Sequence, residues 1–254
     1  MFCKFKPFLK SMNLIIDVGN SFVKLAVFEN GILKCKESIA LNLVLEGVNS
    51  LKKEYPSIRK VIISSVGKLN EAAIKAISDS FDVMVLNSSI TLPFKNLYTT
   101  PETLGVDRIA LVCASVEQFS NNNVLIIDAG TCITYDFITT KNEYLGGAIS
   151  PGLGMRYKSL NNLTANLPLL KSEIPESIIG NSTNGAIHSG VVHGILKEID
   201  GIIEVYNRKY SDLTVILTGG DANFLSKQLK SSIFANSNFL LEGLNYILQF
   251  NSSE

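Results

Sequence analysis

Two stretches of this chain are near copies: residues 14–21 read LIIDVGNS and residues 125–132 read LIIDAGTC. Each is an apolar run of strand length that ends in Asp, a small residue, Gly and a short polar residue. The similarity continues past each copy. After LIIDVGN the chain runs SFVKLAVFENGILKCKESI, alternating patches joined at Asn30-Gly31, a strong hairpin signal. After LIIDAGT it runs CITYDFITTKNEYLGGAIS, with a comparable turn at Lys141-Asn142. Each half also holds a later apolar strand, KVIISSVG at 60–67 and LTVILTGGD at 213–221.

Helical periodicity fills the intervals at 43–53, 70–80, 105–119, 182–206, 223–229 and 240–250. The order is therefore strands, helix, strand, helix, strand, given twice. The polar run SNNN at 120–123 marks the boundary between the halves. We expect a duplicated α/β protein with one domain over 12–120 and a second over 121–254. Residues 1–11 precede a second Met at position 12 and read as an extension outside the fold. The second half is longer between its matching strands, and the extra segment at 146–180 reads as a functional-edge insertion rich in Asn, Pro and Ser.

Composition narrows the function classes. A chain of 254 residues can bury a sizeable core, and no apolar run reaches the length of about 18 residues that marks a membrane span. Lys plus Arg and Asp plus Glu both number 23, which removes the net positive charge of a dedicated nucleic-acid binder. Cys3, Cys35, Cys113 and Cys132 are scattered without a CxxC pair and read as free thiols in a reducing cytoplasm. His188 and His193 are five apart on one expected helix, point in different directions, and read as structural.

The two Asp-x-Gly turns sit at the C-terminal edges of their strands, where open α/β sheets bind ligands. Gly19 and Gly130 allow close backbone approach to a phosphate; Asn20, Ser21 and Thr131 supply donors, and Lys24 a positive charge. Asp17 and Asp128 repel a phosphate, so they make sense with a cation between, most simply hydrated Mg²⁺. Such turns suit phosphoryl transfer, where catalysis is mostly positioning and charge neutralisation. The paired glycines of LTGGDA at 217–222 would let a flat ring such as adenine lie against the backbone.

LGVDRIALVCAS at 104–115 puts Asp107 and Arg108 in the first turn of an apolar helix. The helix dipole favours Asp107 there and opposes Arg108, which points to an anionic partner for the guanidinium. Asp107 is the candidate base for an attacking hydroxyl. Ser182 and Thr183 start a glycine-studded helix, where Ser182 or Thr183 caps and Thr183 can face a ligand.

These motifs together resemble a known family. IDVGNSFVK, LGVDRIA, IDAGTCITYD, YLGGAISPGLGM with LTANLP, IGNSTNGAIHSGVVHG and LTGGD, in that order, are similar to the type III pantothenate kinases. That family, also called Bvg accessory factors, belongs to the actin, sugar kinase and Hsp70 ATPase superfamily. The resemblance covers residue 12 to about 248 and implies two ribonuclease-H-like (actin-like ATPase) domains with a cleft between them. It also implies ATP-dependent phosphorylation of pantothenate, the first step towards coenzyme A. By the same resemblance Asp17, Val18, Gly19, Asn20, Ser21, Phe22, Val23 and Lys24 form the ATP phosphate loop, and Thr131 contacts ATP. Lys24 enters on its charge, since family members often carry a non-basic residue there. The resemblance also implies that Gly105, Val106, Asp107 and Arg108 line the pantothenate site with Asp107 as proton acceptor, and that Tyr98 and Thr183 touch pantothenate. The resemblance further implies that Asp128 binds a monovalent cation, K⁺ or NH₄⁺, and that the protein is a homodimer. Two other functions fit the residues: a different phosphoryl transfer or phosphohydrolase activity on this scaffold, or a nucleotide-binding regulator. Retention of Asp17, Asp107, Asp128 and Thr131 together argues against the regulator.

Overall fold

A computed structural model describes residues 12–19, 22–65, 69–87 and 90–252 of the chain. Two compact units emerge. The first takes the residues up to Leu92, Glu102–Cys113 and the residues from Leu241 onward; the second takes Pro93–Pro101 and Ala114–Leu240.

In the first unit, β1 (Met12–Val18), β2 (Val23–Glu29) and β3 (Ile32–Ile39) form an antiparallel meander. The β2–β3 turn is built on Asn30 and Gly31, both at positive φ as the hairpin signal required. Helix α1 (Val44–Glu54) then leads to β4 (Ile58–Ser65), and α2 (Glu71–Ser78) leads to β5 (Asp82–Val85). Strand β4 runs parallel to β1 and β5 parallel to β4, giving a sheet of order β3-β2-β1-β4-β5. Val44, Val48 and Leu51 line one stripe of α1, and Ala73 and Ile77 line one of α2. These stripes close over Leu14, Ile16, Leu25, Val61 and Ile63 on one face of the sheet. The side chain of Asn70 caps α2 by accepting from Ala73 N–H at 2.8 Å.

A two-residue strand, β6 (Lys95–Asn96), and helix α3 (Val106–Gln118) come next. The second unit then repeats the plan with β7 (Asn123–Ala129), β8 (Cys132–Ile138) and β9 (Glu143–Pro151) as the meander. After α4 (Leu153–Asn162) and α5 (Thr183–Lys209), β10 (Leu213–Thr218) pairs parallel to β7. Helix α6 (Ala222–Ser226) and β11 (Phe234–Ala235) complete this sheet, of order β11-β10-β7-β8-β9-β6. From β9 inward it has the same connectivity as the first sheet, with β6 added at the edge. The final helix, α7 (Phe239–Phe250), places Asn245 against Asn13 of β1, with a buried side-chain hydrogen bond of 2.9 Å.

The expected helices and strands are all present. Within 146–180, where a loop-like insertion was expected, β9 continues to Pro151 and α4 comes after it. Only Leu153 and Tyr157 of α4 are buried, too sparse a stripe to register as helical periodicity. Among the described residues no helix is long and apolar enough to cross a membrane.

Candidate functional site

In the first unit the apolar sides of β1 and β2 fix the turn between them. Val18 and Val23 are buried and pair across it, and Gly19 N–H donates to Phe22 O at 3.1 Å. A Cβ on Gly19 would lie 3.2 Å from that same oxygen, so the turn is shaped for glycine. Phe22 is exposed, and Asn20 and Ser21 lie outside the described residues.

Asp17 is 7% exposed, and sheet register supplies its neighbours: Lys24 stands opposite on β2 and Ser64 on β4. Lys24 Nζ is 4.0 Å from Asp17 Oδ2, the outer range of an ion pair. Burial raises the Asp17 carboxyl most strongly, Lys24 lowers it, Asp107 raises it, and a hydrogen bond with Ser64 lowers it. The result is a pKa of about 6. Asp107 stands in the first turn of α3, whose following residues Ile109 to Ala114 are all buried and anchor the helix. Asp107 Oδ1 accepts from Arg108 N–H at 2.9 Å, and a Cβ on Gly105 would run into that oxygen. Glycine at 105 thus leaves the space the Asp107 carboxylate occupies. Val106 is half-buried, and Arg108 is only 6% exposed.

The equivalent acid of the second unit, Asp128, has Thr134 opposite on β8 and Thr218 on β10. These are the register positions that Lys24 and Ser64 hold around Asp17. The two carboxylates therefore sit in matching frames that differ by one cation. Thr134 Oγ1 is buried with no hydrogen-bond partner. The turn after Asp128 is clasped from two sides. Gly152 N–H donates to Thr131 O at 3.2 Å, and Asp221 N–H donates to Ala129 O at 2.9 Å. Gly219, at φ +96°, lies so close that a Cβ would run into Ala129 O and Asp128 Oδ1. Thr131 itself is exposed, and burial raises the Asp221 carboxyl above its ordinary value.

Tyr98 and Thr183 are held by other elements of the second unit. Tyr98 lies just past β6 and stacks on Tyr144 at 6.1 Å, over Gly146. Thr183 opens α5, where Ser182 is the cap and accepts from Gly185 N–H at 3.1 Å. Thr183 lines a groove of about 620 Å³ with Arg156, Leu160, Ile187 and Gly190. His188 is engaged with Tyr157 at 2.9 Å. The two acids, the glycines and Asp107 are the residues that the sequence motifs single out. The motifs miss Ser64, Thr134 and Thr218, whose only signal is their level across the sheet from an Asp-x-Gly acid.

A duplicated sheet of this connectivity, with an Asp-x-Gly turn after the first strand of each copy, defines a fold of the actin and sugar kinase class. A glucokinase from an Antarctic psychrotroph shares it, with a TM-score of 0.54 at 10% identity over 94% of this chain and 99% of that one. A Baf family protein from Campylobacter jejuni superposes with a TM-score of 0.63 at 23% identity, over 95% of this chain and 100% of the other. The model of the family described as type III pantothenate kinase matches residues 13–205. A type III pantothenate kinase of Christiangramia forsetii is 53% identical over 243 residues, 96% of this chain and 100% of its own. This chain belongs to the type III pantothenate kinase family.

Proposed function

We propose that the protein transfers the terminal phosphoryl group of ATP to the primary hydroxyl of pantothenate, giving 4'-phosphopantothenate and ADP at the start of coenzyme A synthesis. The observation that carries this reading is the buried Asp17, within electrostatic reach of Asp107, in a chain of this family. Residues Asp17 to Lys24 cradle the ATP phosphates: Gly19 opens the backbone, Asn20 and Ser21 donate, and Val18, Phe22 and Val23 shape the turn. Lys24, 4.0 Å from Asp17, partly offsets its charge and would meet a phosphate once a cation takes over that task. Thr131 contacts ATP from the second turn.

Gly105, Val106, Arg108, Tyr98 and Thr183 bind pantothenate, with the Arg108 guanidinium suited to its carboxylate. Asp107 accepts the proton of the attacking hydroxyl as the oxygen–phosphorus bond forms and the bond to the ADP oxygen breaks.

Cation sites fit the oxygen chemistry at both acids. Asp17 would hold a divalent ion such as Mg²⁺ through its carboxylate, with water completing the shell. Mg²⁺ so held supplies charge neutralisation for the phosphate chain. Asp128 lacks a lysine opposite it, and the orphaned Thr134 hydroxyl adds an oxygen donor, which suits K⁺ or NH₄⁺. A homodimer built on α5 is supported by Gly190, Gly194 and Gly201. A Cβ on each would meet open space, so nothing among the described residues requires glycine there. The described cysteines, Cys35, Cys113 and Cys132, are free thiols, in keeping with a cytoplasmic enzyme.

The test is ADP release from ATP with Mg²⁺ and K⁺, with and without pantothenate. Absence of pantothenate-dependent ADP from folded protein would overturn the reading. Asp107→Asn is expected to lower turnover by about 10²-fold or more while leaving binding of an ATP analogue intact. Near-normal turnover would remove Asp107 from the role of base.

A further inference from the structure

The start of α4 carries a side-chain network that phosphoryl transfer itself does not use. Gly152 caps this helix and is packed onto the second Asp-x-Gly turn so closely that a Cβ would run into the carbonyl oxygens of Gly130 and Thr131. The position of the junction at 150–152 therefore sets the position of Thr131. Apolar packing holds α4 through buried Leu153 and Tyr157 and half-buried Leu160, on one stripe. Among its polar restraints are the Tyr157–His188 bond to α5 and Arg156, which alone reaches back to the β9–α4 junction. Arg156 Nε–H donates to Pro151 O at 2.9 Å, and a terminal NH₂ donates to Ser150 Oγ at 3.1 Å and to Glu198 Oε2. Glu198, on α5, accepts a second bond from Tyr135 OH of β8 at 2.9 Å. One guanidinium thus joins the β9–α4 junction to α5 and, through Glu198, to the strand that begins just after Thr131.

The pair is built to be charged. Burial works against an ionised Glu198, but bonds from Arg156, Ser150 and Tyr135 outweigh it and hold its carboxyl below the usual range. The Tyr135 phenol is pushed up, first by burial and then by Glu198, so it stays a donor. A planar fork reaching a backbone carbonyl, a hydroxyl and a carboxylate has a geometry that lysine cannot reproduce in full.

We propose that Arg156, oriented by Glu198, is a positioning residue for nucleotide binding: it holds the Ser150–Gly152 junction against the Gly130–Thr131 turn, and so keeps Thr131 in place for ATP. This inference rests on the reading of Thr131 as an ATP contact. Arg156 also borders the groove that Thr183 lines, so an effect on pantothenate instead of ATP is the competing outcome.

Steady-state kinetics of Arg156→Met, Arg156→Lys, Glu198→Gln and Thr131→Ala separate these roles. Arg156→Met is expected to raise KM for ATP by about ten- to a hundredfold, leaving KM for pantothenate within about twofold. Arg156→Lys should recover part of the loss, and Glu198→Gln should fall between wild type and Arg156→Met. If Arg156→Met does not fold by circular dichroism, Glu198→Gln and Arg156→Lys decide by the same ATP-against-pantothenate split. An unchanged KM for ATP, or an equal rise for pantothenate, overturns the proposal. If Thr131→Ala raises KM for ATP while the Arg156 and Glu198 variants do not, only the positioning role falls. If Thr131→Ala has no effect either, the ATP reading of that turn falls with it.

Discussion

Four influences set the ionisation of Asp17: burial and Asp107 favour its neutral form, and Lys24 and Ser64 favour its charged one. The balance lies on the neutral side, with a pKa of about 6 against 3.8 for a free carboxyl. A raised folded-state pKa means that the folded protein holds this proton more tightly than the unfolded chain. Its contribution is then favourable at low pH and is lost as pH rises from about 4 through about 6. At pH 8 the ionised carboxylate costs on the order of 3 kcal/mol at most. Asp17→Asn is therefore expected to raise the melting temperature of the ligand-free protein by roughly 2–8 °C at pH 8, and by little at pH 4. The same variant should lose nearly all turnover. A melting temperature lowered equally at both pH values would refute this account of Asp17. In the wild type, activity should rise across pH 6 as this group ionises.

At the scale of elements, the turns were legible because their information is local: strand, acid, glycine and donor come one after another in the chain. Their surroundings were not. Lys24 could be found because β2 comes directly after β1, whereas Ser64 and Thr218 reach their acids through β4 and β10, beyond intervening helices. Helix α4 stayed hidden because two fully buried side chains do not make a period, and part of its anchoring is polar, through Arg156 and the Tyr157–His188 bond. The glycines of LTGGD were read as a flat surface for a base. The structure adds a steric demand at Gly219, whose positive φ and contact with Ala129 and Asp128 leave no room for a Cβ. Gly219→Ala is expected to destabilise the protein by about 1–3 kcal/mol in urea unfolding. Gly220→Ala meets nothing within 4 Å and should change stability far less. Equal effects at the two positions would argue that backbone freedom, and not the clasp on Asp128, decides the choice of glycine.

Across the whole molecule, sequence order and spatial membership part company. The duplication is visible along the chain, yet the first unit recruits Glu102–Cys113 and the residues from Leu241 onward. Helix α7 brings buried Leu241, Leu244, Ile247 and Leu248, and the Asn13–Asn245 bond fixes it to β1. Both asparagines are 3% exposed, so Asn245→Ala leaves a buried amide without its acceptor. The expected loss is about 1–3 kcal/mol by chemical denaturation, and changing Asn13 to Leu in the same chain should restore part of it. Additive losses in the double variant would show that the two side chains act independently.

The placement of α7 also bears on how the protein is made. At about 5–20 residues per second, the ribosome needs roughly 6–25 s to pass from Cys113 to Leu241. Every residue of the second unit has been polymerised before α7 is complete, so the unit that begins first is finished last. Until then Asn13 of the nascent first sheet is without its partner Asn245 on α7. That interval is when a holding chaperone has most to cover.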